Sequence, residues 1–171
     1  HPFKVILDYA HNPAGFRAMS TLASKLEPAG RSTLVMSTPG DRRDEDIRES
    51  VRACLPGFTH FVCKADTNRR GRGHDEIPQL LRSYLMAEGV AEENITMIAD
   101  EEPAVDYALE NAQPGDLLVI TADDLTRTWK QIVNLNSDKQ EDRAMIPGTK
   151  VFEPPRAKRY RLEENEELII D

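Results

Sequence analysis

Apolar positions along this chain follow two alternating rhythms. Short, nearly continuous apolar runs recur at residues 3–7, 32–37, 60–64, 94–99 and 116–121, and their length and flanking turn residues predict buried β-strands. Between and after them, apolar residues recur at i, i+3 or i+4, and i+7. The series are Phe16, Met19, Ala23, Leu26; Ile47, Val51, Cys54, Leu55; Ile77, Leu80, Leu81, Tyr84, Leu85; Val105, Ala108, Leu109, Ala112; and Leu125, Trp129, Ile132, Val133. Each draws one apolar stripe along a helix, and each stripe is expected to face a core. Punctuation agrees: Asn12 suits an N-cap and Pro13 a first helical position. Acids at Asp44, Glu45, Asp46, Asp75 and Glu76 fall in first turns, where the helix dipole favours them. Strands alternating with amphipathic helices predict an α/β fold, a doubly wound, mostly parallel sheet with helices on both faces.

The rhythm weakens from Asn134 onward. Residues 1–135 are therefore expected to form the domain and residues 136–171 a C-terminal extension. The Pro154-Pro155 pair, a mixed-charge stretch and the terminal Leu168-Ile169-Ile170 fit an edge strand or hairpin, and equally a partly disordered tail. With 39% hydrophobic and 30% charged residues over 171 positions, the composition is that of a soluble globular chain. No apolar run approaches the roughly 18 residues of a membrane helix and no signal peptide opens the chain, so a cytoplasmic location is expected. The first strand begins almost at once after His1, as in a piece of a longer protein. Cys54 and Cys63 lack metal-type spacing and read as buried thiols. A net charge of -8 argues against a nucleic-acid or anionic-membrane surface.

In a parallel sheet the loops after the strands share one edge, where ligands bind. The first carries Asp8-Tyr9-Ala10-His11-Asn12-Pro13, a reactive cluster at a strand end. His11 there suits a general base, a phosphate contact or a metal ligand, but the Asp8 to His11 spacing alone makes no credible metal site, and no metal is assigned to this chain. The second loop, Thr38-Pro39-Gly40-Asp41-Arg42-Arg43-Asp44, holds two guanidiniums whose planar forks suit phosphate or carboxylate. Pairing of those arginines with Asp41 and Asp44 is the competing reading. The third, Asp66-Thr67-Asn68-Arg69-Arg70-Gly71-Arg72-Gly73, is the densest positive patch of an acidic chain. After the last strand, Asp123 and Asp124 suit either a guanidinium ligand or a helix N-cap. There is no Gly-rich Lys-Ser/Thr loop and no Gly-x-Gly-x-x-Gly turn, so the chain lacks its own triphosphate or dinucleotide cradle.

The segment Asp8-Tyr9-Ala10-His11-Asn12-Pro13 resembles the motif that opens the C-terminal, Rossmann-like domain of the Mur ligase superfamily. That superfamily includes peptidoglycan amino-acid ligases, folylpolyglutamate synthase and cyanophycin synthetase. Gly40-Asp41-Arg42-Arg43-Asp44-Glu45-Asp46-Ile47 and Arg70-Gly71-Arg72 are most similar to the cyanophycin synthetase branch, and Pro114-Gly115-Asp116-Leu117-Leu118-Val119 extends the likeness to about residue 133. The resemblance implies a domain of an ATP-dependent ligase that activates a carboxylate as an acyl phosphate for attack by an amine. It implies that ATP and Mg are held mainly by a preceding central ATPase domain of the same protein, and that this fragment alone is inactive. By the same resemblance Asp8 approaches the ribose, His11 the phosphates, and Asn12 fixes that turn. Arg42 joins His11 as a catalytic candidate able to stabilise phosphoryl charge. Arg43, Arg69, Arg70, Arg72, Asp123 and Asp124 are candidates for the amino-acid substrate, arginine being the expected one, or for its carboxylate or polymer partner. The third loop lacks the Asp-Asn-Pro-Arg pattern of the diamino-acid-adding enzymes, and Ala122-Asp123-Asp124-Leu125 replaces their Lys-Gly-His-Glu. A non-catalytic nucleotide- or partner-binding module of the same ancestry is the alternative, and assembly as a homo-oligomer stays open.

Overall fold

The structure is a computed structural model that describes residues 1–135; the expectations for the extension lie outside the described residues. Five parallel strands, β1 (Lys4–Asp8), β2 (Ser32–Met36), β3 (His60–Cys63), β4 (Ile95–Met97) and β5 (Leu117–Thr121), form one sheet in the order β1-β5-β2-β3-β4. They alternate with helices α1 (Pro13–Leu26), α2 (Asp44–Cys54), α3 (Glu76–Ala87), α4 (Glu101–Asn111) and α5 (Leu125–Asn134). The doubly wound α/β expectation holds, and every pairing is parallel.

Because successive strand residues point to opposite faces, the sheet divides its side chains between two cores. Leu34, Met36, Phe61, Cys63, Leu117 and Val119 pack with Phe16, Ile47, Val51, Leu81 and Leu85 of α1, α2 and α3. Val35, Val62, Leu118 and Ile120 pack with Ala104, Val105, Leu109 and Ile132 of α4 and α5. Burial on both faces explains the unbroken apolar runs of the central strands. Cys54 and Cys63 are buried and unbridged. Burial pushes the Cys54 thiol up to about 12 and the Cys63 thiol up as well, so both stay protonated and act as core residues.

One helix departs from expectation. Leu125, Trp129 and Val133 of α5 are exposed, Trp129 by 57%, while Thr128 and Ile132 face inward. Polar contacts set this rotation. The Asp124 carboxylate caps the helix by accepting the Arg127 N–H, Arg127 donates to Glu101, and Gln131 donates to the Glu102 carbonyl and to Asp106 on α4.

At the edge where the strands begin, Asp116 ties the chain together. Burial pushes its carboxyl up, but N–H groups of Gln113 and Arg31 and the Arg31 guanidinium outweigh burial and hold it below the usual range. A methyl at Gly30 would lie 2.2 Å from that carboxylate, so only glycine lets the two segments meet.

Candidate functional site

The sheet order positions the site. Strands β1 to β4 advance through α1, α2 and α3 on one face, and the chain then returns through α4 on the other face to insert β5 between β1 and β2. Loops leaving β5 and its neighbours thus diverge to opposite faces, which opens a crevice at their C-terminal ends. A cleft of about 120 Å³ lies there, lined by Tyr9, Ala10, His11, Ser37, Pro39, Arg42, Lys64, Asp66, Arg70, Thr121, Ala122 and Asp123.

Of the residues singled out from sequence, His11, Arg42, Arg70 and Asp123 line this cleft. The His11 ring is oriented by a 2.9 Å hydrogen bond from Nδ1 to the Tyr9 carbonyl and an edge-on contact with the Tyr9 ring, and among the described residues Nε2 has no hydrogen-bond partner. Asp8 ends β1 and is not part of the lining; one carboxylate oxygen accepts the Ala10 N–H at 2.7 Å and tightens the turn. Asn12 is the α1 N-cap, its Oδ1 accepting the Gly15 N–H at 2.9 Å, with Pro13 opening the helix as expected. Asp124 caps α5.

The arginines separate by role. Arg43 turns outward to Asp46 and Glu45 at the start of α2. Arg69 lies 3.9 Å from Asp100, in the neighbouring groove between the loops after β3 and β4. Arg70 donates to Asp41, and that hydrogen bond and charge hold the Asp41 carboxyl below its usual range. Arg70 adopts φ 48° and Gly71 φ 93°, the tight turn that the Arg-Gly sequence makes. Arg72 is a staple: it donates to the carbonyls of Gly40 and Arg42 and to the carboxylates of Asp44 and Glu76, tying the loop after β3 to the loop after β2. Those loops touch closely enough that a methyl at Gly40 would sit 2.1 Å from the Arg69 carbonyl oxygen.

Sequence reasoning singled out neither Lys64 nor Glu101 as a site residue, although Glu101 lies in the polar segment that follows β4. Lys64 follows β3 and is only 1% exposed; its ammonium donates to the buried Glu101 carboxylate at 2.8 Å. Glu101 also accepts the Asp123 N–H at 2.7 Å, the Asp124 N–H at 3.2 Å and the Arg127 guanidinium at 2.7 Å. Burial pushes the Glu101 carboxyl up, but the Lys64 charge and these donors prevail and hold it at about 2. One signal was present: a lysine directly after the apolar Phe61-Val62-Cys63 run. His74 also gained a context, bridging Asp75 and Asp100, whose hydrogen bonds raise its pKa, Asp100 most.

The cleft's dimensions bound its ligand. Pockets for complete small molecules run from about 300 to 1,000 Å³, so this one is too small to enclose a nucleotide. Both signs of charge line it: Arg42, Lys64 and Arg70, and Asp66 and Asp123. A parallel α/β domain with a charged cleft at the C-terminal edge of its sheet is the class of protein that fold and geometry define.

Residues 1–123 match the sequence profile described as "Mur ligase, glutamate ligase domain", the C-terminal domain of the Mur ligases, and the chain belongs to that family. It is 32% identical over 134 residues to cyanophycin synthetase of Crocosphaera subtropica, covering 78% of this chain and 15% of that protein. It is likewise 32% identical over 120 residues to the UDP-N-acetylmuramoyl-L-alanyl-D-glutamate–2,6-diaminopimelate ligase of Caldanaerobacter subterraneus, covering 69% of this chain and 23% of that protein. The chain therefore spans under a quarter of either relative. Among solved structures, a UDP-N-acetylmuramoyl-L-alanyl-D-glutamate–2,6-diaminopimelate ligase superposes with a TM-score of 0.61 at 20% identity, over 80% of this chain and 30% of that one. The bifunctional folylpolyglutamate synthase/dihydrofolate synthase of Yersinia pestis, complexed with AMPPNP and Mn, gives 0.55 at 19% identity, over 75% and 28%. These superpositions agree on the fold. Among the described residues no helix is long and apolar enough to cross a membrane.

Proposed function

We propose that residues 1–135 are the C-terminal domain of an ATP-dependent, amide-forming ligase of the cyanophycin synthetase type, which joins an amino acid, arginine in our reading, to a carboxylate activated as an acyl phosphate. The observation that carries this reading is the cleft itself: small, lined by both signs of charge, and built from the loops after β1, β2, β3 and β5. A zwitterionic amino acid fits such a lining better than a simple anion does. We place ATP and Mg mainly on a preceding central domain, in a cytoplasmic enzyme. When bound, ATP supplies the phosphoryl group that activates the carboxylate, and Mg offsets its charge.

The chain's own residues do the rest by binding and orientation. The Asp8 oxygen not used by the Ala10 N–H can accept a ribose hydroxyl, and Asn12 holds the turn that presents it. Nδ1 of His11 donates to the Tyr9 carbonyl, so Nε2 can donate toward a phosphoryl oxygen only when the ring carries both protons, and the Arg42 guanidinium adds charge that stabilises that oxygen. Arg70 can grip the amino acid's carboxylate, with Asp66 and Asp123 facing its cationic groups. Arg72 acts through the loops it staples, and Arg43, Arg69 and Asp124 contribute to loop structure more than to contact.

In the protein that carries this domain, Asp8→Ala is expected to raise the KM for ATP, and Arg70→Ala the KM for the amino acid, each about tenfold or more. Arg72→Ala should instead lower the unfolding temperature. Steady-state assays of amino-acid-dependent ADP formation check this. Absence of that activity in the intact wild-type protein would refute the ligase reading and favour a binding module.

A further inference from the structure

Outside the residues already assigned, one feature combines burial, charge and position: the Lys64 and Glu101 pair beneath the cleft. An ammonium carries three N–H donors. Glu101 accepts one, and among the described residues no other acceptor serves the Lys64 side chain. Buried donors are costly to leave without partners, and Lys64 borders the cleft. Glu101 is shared between Lys64 and Arg127, so one positive charge of this trio is left uncompensated. Glu101 also fixes the backbone of Asp123, itself a lining residue, so the pair's position and the shape of the cleft wall are set together.

We propose that Lys64 is an anion contact in the floor of the cleft, taking a phosphoryl or carboxylate oxygen, and that Glu101 is the positioning residue that aims it. Lys64 is held at one end by Glu101 and spends its remaining donors on the ligand. Glu101 cannot itself meet an anion; it orders the wall formed by Asp123 and Asp124 and keeps the ammonium from turning away. The inference rests on the ligase reading for which anion is bound, but not for the existence of the site.

The test is an NMR titration of the 15N-labelled 171-residue chain with sodium phosphate and, separately, sodium acetate at constant ionic strength, following the amides of Ser37, Asp123 and Asp124. The wild type should show saturable shifts. Lys64→Met should weaken binding by about tenfold or more, and Lys64→Arg should recover part of it. Because Lys64→Met leaves a buried carboxylate with one partner fewer, the Lys64→Met/Glu101→Gln pair, which removes both charges, serves as the second variant and should also lose the site. Saturation by phosphate would assign the phosphoryl group and saturation by acetate the substrate carboxylate; either supports the site. Binding by the double variant within about twofold of wild type, or no saturation by either anion in the wild type, would overturn it. A parent protein without ligase activity but with Lys64-dependent anion binding would sink the ligase reading alone.

Discussion

Glu101 shows how one side chain can serve fold and site together. Its carboxylate stands at the first position of α4, where the helix dipole already favours negative charge. It is buried and receives four donors from Lys64, Asp123, Asp124 and Arg127. Its pKa falls from the ordinary 4.5 to about 2. A carboxyl depressed by folding stabilises the native state fully above its unfolded pKa and loses that contribution as pH falls through the folded value. Stability should thus decline between about pH 4.5 and 2 by an amount on the order of 3 kcal/mol from this group. Urea midpoints measured across that window should fall steeply for the wild type and less steeply for Glu101→Gln, which starts lower at neutral pH. Parallel curves for the two proteins would show that the pair does not govern acid stability.

Helix α5 marks where periodicity stops being sufficient. Its apolar residues suggest a stripe through Leu125, Trp129, Ile132 and Val133, yet only Ile132 of these is buried. The Asp124 cap and the links from Arg127 and Gln131 to α4 decide the rotation instead, and such polar contacts leave no trace in a hydrophobic pattern. Ile132→Ala should therefore cost about 2–4 kcal/mol through cavity formation, whereas Trp129→Gln should change stability by less than about 0.5 kcal/mol. The single tryptophan also gives a direct readout. Acrylamide should quench its fluorescence nearly as well in the native as in the unfolded chain, and a protected native indole would contradict this packing.

The strands, the other four helices, the parallel sheet and the Asn12 cap were legible because each rests on local chemistry or simple periodicity. The convergence of His11, Arg42, Arg70 and Asp123 was legible because the loops that follow parallel strands share one edge of the sheet. The division of labour among the arginines was not: whether a guanidinium meets a carboxylate on a neighbouring loop depends on how closely the loops approach, as Gly40 does the Arg69 carbonyl. Lys64 escaped notice for a similar reason, since its partner lies 37 residues away.

At the scale of the whole molecule, the cleft argues for shared labour between domains. About 120 Å³ is too small to enclose a nucleotide, and the sequence holds no Gly-rich Lys-Ser/Thr loop to cradle a triphosphate. The chain's net charge of -8 disfavours capture of a free nucleotide, whereas on the ligase reading proposed above a phosphoryl group presented by a facing domain would meet the local cations at short range, where screening is weak. Closure would then exclude water and raise the worth of each contact. The 171-residue chain alone should accordingly show no ATP turnover. On the same reading, a longer protein that carries this domain, cut immediately before His1, should keep measurable nucleotide binding but form no amide. Supplying this chain in trans should restore slow, amino-acid-dependent ADP formation, and the Arg70→Ala chain should not. Amide formation by the truncated parent at an undiminished rate would place the whole reaction on the other domains and leave this one a structural appendage.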